Sequence, residues 1–299
     1  MPAVLKARIG EPDVVRPPQT VLTGLIGAQI GASRQPVIHM SEARAHGFTG
    51  IYRLIDIDAV GGTDALPQIL SFCRAIGFAG VNVTFPCKQA VIPHLDELSD
   101  HARTLGAVNT VVFKDGRAIG HNTDWSGYAD AFKAEMAGAK LDRVVQFGAG
   151  GAGAAVAYAL LMLGVKRLDV IDADPERAAG LAAQFAERFG AARIGVAADA
   201  AAAVADADGI VNCTPVGMAK FPGTPFPAEW LSPSHWVSEI IYFPLETELL
   251  RRARSLGCRT IDGSGMNVRQ AAEAFRLFTG RAGDPDRIRF FFDEAGRPA

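Results

Sequence analysis

Cysteine is scarce in this chain of 299 residues: Cys73, Cys87, Cys213 and Cys258 are the whole set, with no CxxC pair and no regular spacing. That excludes a zinc knuckle and a disulfide framework, and a reducing cytoplasm is the expected location. Positive charge is not in excess either. Thirty Lys and Arg face 32 Asp and Glu, a net charge of -2, which excludes the broad basic face that nucleic acid requires. No apolar run reaches the roughly 18 residues of a membrane span. The first twenty residues carry Lys6, Arg8, Pro12, Pro17 and Pro18 without an apolar core, so they read as a loose tail and not as a secretory leader. The histidines, His39, His46, His94, His101, His121 and His235, are scattered without metal-ligand spacing, and no metal is expected. No internal repeat of functional weight is present. What these absences leave is chemistry on a small molecule.

The length suits two globular domains of about 100 to 200 residues each. Strand-like and helix-like patterns alternate from the start: residues 21–27 as a strand, 36–45 as a helix, 51–57 as a strand, 65–76 as an amphipathic helix and 80–83 as a strand. Such alternation predicts an α/β fold with a mainly parallel, covered sheet. Lys114-Asp115-Gly116 is a hairpin signal between strands at 107–113 and 117–120, which are expected as an antiparallel edge pair. The pattern restarts at residue 143, with strands at 144–147 and 168–171 enclosing a helix at 154–163, a βαβ unit of dinucleotide-fold length. Later strands fall at 209–212, 236–241 and 259–262. An alanine-rich helix is expected at 198–207, and the chain's last helix is expected to begin near Met266.

Gly148-Ala149-Gly150-Gly151-Ala152-Gly153 follows the first strand of that βαβ unit and opens its helix, the context that gives a GxGxxG pattern meaning. Gly148 permits the tight turn, Gly150 lets backbone approach a pyrophosphate, Gly153 lets helix and strand pack closely, and free helix N–H groups face phosphate charge. Asp172 closes the next strand, near the place of an acidic residue that accepts hydrogen bonds from an adenosine ribose. Its neighbour Asp174 adds a second negative charge. The expected cofactor is therefore NAD, with NADP possible if Arg167 or Arg177 reaches a 2′-phosphate. Asp172-Ala173-Asp174-Pro175 is also a good helix start.

Upstream lie Asn82-Val83-Thr84-Phe85-Pro86-Cys87-Lys88 and Gly120-His121-Asn122-Thr123-Asp124. A lysine just after one strand and an aspartate just after another can meet at one cleft as an acid/base pair, the pair that moves a hydroxyl proton while a hydride leaves a secondary alcohol. With the glycine loop, they suggest a dehydrogenase.

These segments, together with Ala107-Val108-Asn109-Thr110, resemble the shikimate dehydrogenase family, and the resemblance covers about residues 22–280. It implies a two-domain α/β protein, an amino-terminal α/β substrate domain plus a Rossmann-type nucleotide-binding domain. The last helices would return to the first domain, so residues 1–123 with 263–299 bind substrate and residues 124–262 bind the dinucleotide. It implies Lys88 and Asp124 as the catalytic pair, and Thr84, Asn109 and Gln270 as ligands of the ring hydroxyls or neighbouring groups. Tyr242, from Tyr242-Phe243-Pro244, would lie near substrate and nicotinamide, and Gly265 and Met266 near the nicotinamide. NADP-using members have an Asn-Arg-Thr-like segment where this chain has Asp172-Ala173-Asp174.

One departure stands at Ser33-Arg34-Gln35-Pro36. The family has two hydroxyls there that hold the substrate carboxylate; here Ser33 supplies one and Gln35 replaces the other. A longer amide still donates to a carboxylate, with different room and geometry. Arg34 reads as an exposed arginine, and His121 as a loop residue near Asp124. The resemblance implies interconversion of shikimate and 3-dehydroshikimate with a nicotinamide cofactor. The competing readings are a catabolic quinate/shikimate dehydrogenase acting mainly on quinate or an amino-substituted analogue, a methylenetetrahydrofolate dehydrogenase of similar architecture, and a non-catalytic sensing module. Intact Lys88 and Asp124 argue against the last.

Overall fold

A computed structural model of the chain describes residues 19–296. The expected tail lies outside the described residues as far as residue 18, and Thr20 already belongs to the first strand. The first half runs β1 Thr20–Gly27, α1 Gln35–Ala45, β2 Thr49–Asp56, α2 Leu66–Ala75, β3 Gly80–Val83, α3 Cys87–Ala90, β4 Glu97–Leu98, α4 Asp100–Leu105, β5 Thr110–Lys114 and β6 Arg117–His121. The second half runs α5 Asp124–Glu135, β7 Arg143–Phe147, α6 Gly151–Met162, β8 Arg167–Ile171, α7 Pro175–Phe189, β9 Ile194–Val196, α8 Ala200–Ala205, β10 Gly209–Asn212, β11 Trp236–Glu239, α9 Glu248–Ser255, β12 Arg259–Ile261, α10 Ser264–Thr279 and α11 Pro285–Glu294.

Two six-stranded sheets result. The first has the order β2-β1-β3-β5-β6-β4 and is mixed: β1 is parallel to β2 and β3, whereas β5 is antiparallel to β3 and to β6. The Lys114-Asp115-Gly116 turn forms the expected hairpin, with Asp115 and Gly116 both at positive φ. The hairpin is not the edge. The two-residue β4 pairs in parallel outside β6, and two residues are too few for a strand pattern to register in sequence. The second sheet is parallel throughout, in the order β12-β11-β10-β7-β8-β9, the doubly wound arrangement in which the order reverses between β7 and β10. Its strands are apolar runs because helices cover both faces.

The helix near Met266 begins at Ser264, and it is not the last: α11 follows. Its polar face and its start at Asp284-Pro285, where Asp284 accepts from the N–H groups of Asp286 and Arg287, are the sequence signals that mark it. α10 joins the two halves. It follows β12 of the second sheet, and its far end lays Phe278 on the first sheet, against Gly80 and Val112. α5 lies along it. Gly127 is buried with the Met266 carbonyl and the Gln270 N–H 2.7 and 2.8 Å from where a Cβ would stand, so only glycine permits this approach. On the far side α4 docks on the second half: His101 Nδ1 pairs with the Tyr158 hydroxyl at 2.8 Å, and Gln184 and Arg188 donate to the Thr104 carbonyl and hydroxyl at 2.8 and 3.0 Å.

α11 is held to α1 by an ion pair whose carboxylate is buried and whose arginine is partly exposed. The Glu42 carboxylate, 1% exposed, accepts from Arg287 Nε and Nη2 at 2.7 and 2.8 Å and from the Asp284 N–H at 2.9 Å. Burial pushes its pKa up, but the Arg287 bonds and the other donors outweigh burial and hold it below its ordinary value. Arg287→Ala leaves that carboxylate buried and half-paired. We expect a loss of about 2–4 kcal/mol at pH 7 by urea denaturation. Because Glu42's folded pKa is depressed, the stabilisation is present above the unfolded value and lost as pH falls through the folded one, so the difference between variant and wild type shrinks as pH falls below the ordinary glutamate range.

Candidate active site

β1 and β3 run parallel and β5 starts beside the end of β3, so one edge of the first sheet collects the ends of β1, β3 and β6 and the start of β5. Everything the two upstream motifs contribute lies along that edge. Thr84 follows β3, Lys88 sits in the short α3, Asn109 precedes β5, and Asn122, Thr123 and Asp124 follow β6. The Val108 N–H donates to the Lys88 carbonyl at 2.8 Å and the Asn109 N–H to the His121 carbonyl at 3.0 Å, which ties the three segments together through backbone.

Lys88 Nζ donates to Asp124 Oδ2 at 2.7 Å. The other oxygen, Oδ1, accepts from Asn109 Nδ2 at 2.9 Å, and the Asp124 N–H donates to Asn122 Oδ1 at 3.0 Å. Asp124 is the first residue of α5, where free N–H groups favour an anion. Asn109 does more than reach Asp124. Its amide also donates to the Thr123 hydroxyl at 3.0 Å, and its Oδ1 accepts from the Thr123 N–H at 2.7 Å. Behind it, Asn82 accepts from the Tyr52 hydroxyl at 2.9 Å and donates to the Thr110 hydroxyl at 3.1 Å, so the buried amides are paired in a chain. Thr123 reaches Gln270 Oε1 on α10 at 3.4 Å. Lys88, Asp124, Asn109 and Gln270 are thus brought together. The ion pair keeps an open side: the Lys88 side chain is 28% exposed and that of Asp124 13%.

Other expected residues stand apart from this cluster. Ser33 Oγ accepts from the Gln35 N–H at 3.3 Å in the loop after β1, and Gln35 Oε1 is buried with no partner among the described residues. Thr84 packs its methyl on Gly27. No hydrogen bond joins Ser33, Gln35, Thr84 or Tyr242 to Lys88 or Asp124 among the described residues. Tyr242 follows β11, is 44% exposed and meets Phe292 of α11 edge-on at 6.0 Å. Arg34 is not an exposed arginine: its guanidinium lies over the Phe292 ring at 4.7 Å and donates to the Phe292 carbonyl at 3.2 Å. His121 ends β6 and is not a loop residue; burial lowers its pKa.

The glycine segment forms the turn from β7 into α6. Gly148 has φ +99°, and α6 already begins at Gly151, so the expected loop's second half is the helix's first turn. Among the described residues no side chain caps that end, which leaves its N–H groups to an outside acceptor. Space above the loop is open: a Cβ on Gly150 or Gly151 meets nothing within 4 Å, the cradle that a pyrophosphate needs. At Gly153 a Cβ lies 2.3 Å from the Gly148 carbonyl oxygen. Asp172 accepts from the Ala149 N–H at 2.7 Å and from the Asp174 N–H at 2.9 Å, and Asp174 caps α7. Gly265 is buried in the first turn of α10, and Met266 packs on the core of the second half.

Sequence reasoning missed Gln146. It is fully buried in β7 and donates to the Gly148 and Gly153 carbonyls at 2.8 and 2.9 Å, clamping the two ends of the glycine turn. Its signal was a lone amide in the apolar run Val144-Val145-Gln146-Phe147.

The family model for the shikimate dehydrogenase substrate binding domain matches residues 25–111. A shikimate dehydrogenase (NADP(+)) of Streptomyces avermitilis is 55% identical over 92% of this chain and 94% of its own length. The chain belongs to the shikimate dehydrogenase family. A quinate/shikimate dehydrogenase (NAD(+)) of Corynebacterium efficiens is 48% identical over 91% of the chain and 98% of its own. The solved quinate dehydrogenase of Corynebacterium glutamicum in complex with NAD superposes with a TM-score of 0.89 at 45% identity, covering 92% and 99% of the two chains. The expected fold, a two-domain α/β protein with a Rossmann-type half, is the fold of this family. Among the described residues no helix is long and apolar enough to cross a membrane.

The two glycines separate space for a ligand from space within the fold. Gly153→Ala drives a methyl into the Gly148 carbonyl and is expected to lose about 1–3 kcal/mol of stability. Gly150→Ala, at φ -73° in open space, is expected to stay within about 0.5 kcal/mol of wild type. Chemical denaturation of the two variants checks the contrast.

Proposed function

We propose that the protein is an NAD-preferring dehydrogenase of shikimate, interconverting shikimate and 3-dehydroshikimate, with Lys88 carrying the hydroxyl proton. The observation that carries this reading is the bonding at Asp124. Both its oxygens are engaged, Oδ2 by Lys88 and Oδ1 by Asn109, while Lys88 spends one of its three N–H donors on Asp124 and stands open on the other side. Lys88 is therefore the group with capacity to meet an alcohol, and Asp124 is the group that holds it there. A bound nicotinamide supplies the hydride acceptor or donor. The chain's part is to hold the carbinol and to take or return its proton, the task a positioned acid/base pair performs.

We assign substrate binding to residues 1–123 with 263–299 and dinucleotide binding to residues 124–262. Around the ring, Thr84, Asn109 and Gln270 supply amide and hydroxyl partners, Ser33 and Gln35 meet the carboxylate, and Tyr242 closes the nucleotide side. In the dinucleotide half, Gly148, Ala149, Gly150, Gly151, Ala152 and Gly153 receive the pyrophosphate, and Gly265 and Met266 flank the nicotinamide. Identity does not choose between NAD and NADP, since relatives of both kinds are close. The charges around Asp172 support NAD. Arg167 starts β8, about 13 Å from the strand's far end at 3.3 Å per residue, and is bound to Asp169 at 2.7 Å. Arg177 is paired with Asp174 at 3.2 Å. A 2′-phosphate would meet two carboxylates and no free arginine among these. The four cysteines carry no disulfide, which suits the cytoplasm.

Quinate is the second acid, a reading supported by the likeness to a quinate/shikimate dehydrogenase and to a solved quinate dehydrogenase.

Initial rates of reduced-cofactor formation from shikimate and from quinate, each with NAD and NADP at matched concentration, test the reading. Faster turnover with NAD is expected. Faster turnover with NADP refutes the Asp172 argument, and turnover of neither acid refutes the substrate assignment. Lys88→Ala, folded by circular dichroism, is expected to lose about 100-fold to 10,000-fold in kcat; near-normal turnover excludes Lys88 as the proton carrier.

A further inference from the structure

One buried carboxylate takes no part in the chemistry described so far. Glu239 ends β11 in the nucleotide half and is 1% exposed. Four donors converge on it. Oε1 accepts from the N–H groups of Ile240 and Ile241 at 3.0 and 3.2 Å, and Oε2 accepts from Asn212 Nδ2 at 3.0 Å and from the Thr247 hydroxyl at 3.2 Å. Among the described residues no lysine, arginine or histidine pairs with it.

What these bonds organise is the carboxyl end of β10 and β11. Asn212, besides donating to Glu239, donates to the Val216 carbonyl at 2.9 Å and accepts from the Thr214 N–H and hydroxyl at 2.9 and 2.7 Å, which shapes the loop after β10. The Ile240 and Ile241 amides and Thr247, the N-cap of α9, bound the loop that carries Tyr242. The Gly263 N–H donates to the Ile241 carbonyl at 3.1 Å, so the same loop braces the entry into α10 and its residues Gly265 and Met266. In a doubly wound sheet the ligand lies outside the carboxyl ends of the strands, across the point where their order reverses, and each half of the sheet holds one half of a dinucleotide. The glycine turn and Asp172 occupy the ends of β7 and β8. The half left for the nicotinamide is the one over β10 and β11.

We propose that Glu239 is a positioning residue for hydride transfer, its carboxylate fixing the nicotinamide-side wall formed by the loop after β10, the Tyr242 loop and the start of α10. This rests on the dehydrogenase reading above and adds a residue that does not touch the reacting atoms. The geometry favours the ionised form. The Ile240 and Ile241 N–H groups and the Asn212 amide can only donate, so a proton on Oε1 would break a bond there, and a proton on Oε2 would have to turn the Thr247 hydroxyl from donor to acceptor. Burial pushes the pKa up to about 7. The facing groups do not offset this. From the loop after β10 comes the Cys213 thiol, itself raised by burial and by Glu239; on α9, Glu248 turns outward to Arg251 and Arg252; Tyr128 of α5 bonds Ser238, the preceding residue of the strand. Acidification through neutrality therefore loosens the wall, and alkaline solution leaves it set.

The test uses the full-length protein, Glu239→Gln and Glu239→Asp, with folding checked by circular dichroism. In wild type, kcat/KM with NAD is expected to fall on the acid side of a midpoint near pH 7, approaching tenfold per pH unit. Glu239→Gln is expected to lose tenfold or more at pH 8 and to lack that acid limb, whereas Glu239→Asp keeps the limb and recovers part of the rate. A folded Glu239→Gln with wild-type rate and the same limb overturns the proposal. Should Glu239→Gln fail to fold, the wild-type and Glu239→Asp profiles decide: a wild-type profile flat from pH 6 to 8 overturns it, and a limb near pH 7 that shifts in Glu239→Asp supports it. NAD binding, followed by quenching of protein fluorescence at pH 8, separates this inference from the substrate assignment. If no acid turns over, the function reading fails alone; a fivefold or greater weakening of NAD by Glu239→Gln still supports the wall, and unchanged affinity overturns it.

Discussion

The ion pair between Lys88 and Asp124 is the constraint around which the first half of the molecule is arranged. Its two members come from segments 36 residues apart in sequence, and they meet at 2.7 Å because the ends of β3 and β6 and the start of β5 lie at the same edge of a mixed sheet. The antiparallel hairpin makes this possible. Were β5 parallel to β3, as β6 is, the segment carrying Asn109 would enter the sheet at the opposite edge, away from Lys88 and Asp124. Asn109 then acts as the bracket, one amide bonded to both Thr123 and Asp124. A charged pair of partial exposure gains little in stability from such an arrangement. Its cost in side-chain entropy is sensible where a fixed lysine is needed for chemistry.

The two halves divide the work by the kind of group they offer. The first presents side-chain amides, hydroxyls and the ion pair, suited to a polyhydroxylated acid whose every hydroxyl needs a partner in a closed cleft. The second presents backbone N–H groups and open space at a helix start, suited to a phosphate. α5 and α10 span the two, with Asp124 at the start of one and Gln270 in the other, and Gly127 lets them lie close enough for both to serve one site.

Much of this was legible in the sequence because it depends on local signals. The glycine turn, the Asp-Gly hairpin, the alternating strands and the two motifs with Lys88 and Asp124 are short-range patterns with short-range causes. The site's supports were not legible for the opposite reason. Gln146, Asn82, Asn212 and Glu239 are polar residues inside apolar strands, and their partners are carbonyls, amides and hydroxyls that only the fold brings near. Each does leave a trace, since a buried polar group without a partner is costly and a polar residue in a strand of a covered sheet implies one. The two-residue β4 and the docking of Arg34 on Phe292 left no such trace. Strand β4 is below the length at which periodicity means anything, and Arg34 depends on a helix 258 residues away.

On the proposed reading an alcohol meets Lys88 while its carbinol carbon faces the nicotinamide from the β10 and β11 side. A crystal structure of the dead-end ternary complex with NAD and 3-dehydroshikimate tests it most directly. The reacting oxygen is predicted within about 3 Å of Lys88 Nζ, with the carbon that exchanges hydride about 3–3.5 Å from the nicotinamide ring. An acid bound with that oxygen away from Lys88, or a nicotinamide lying on the other side of the sheet's crevice, would contradict it.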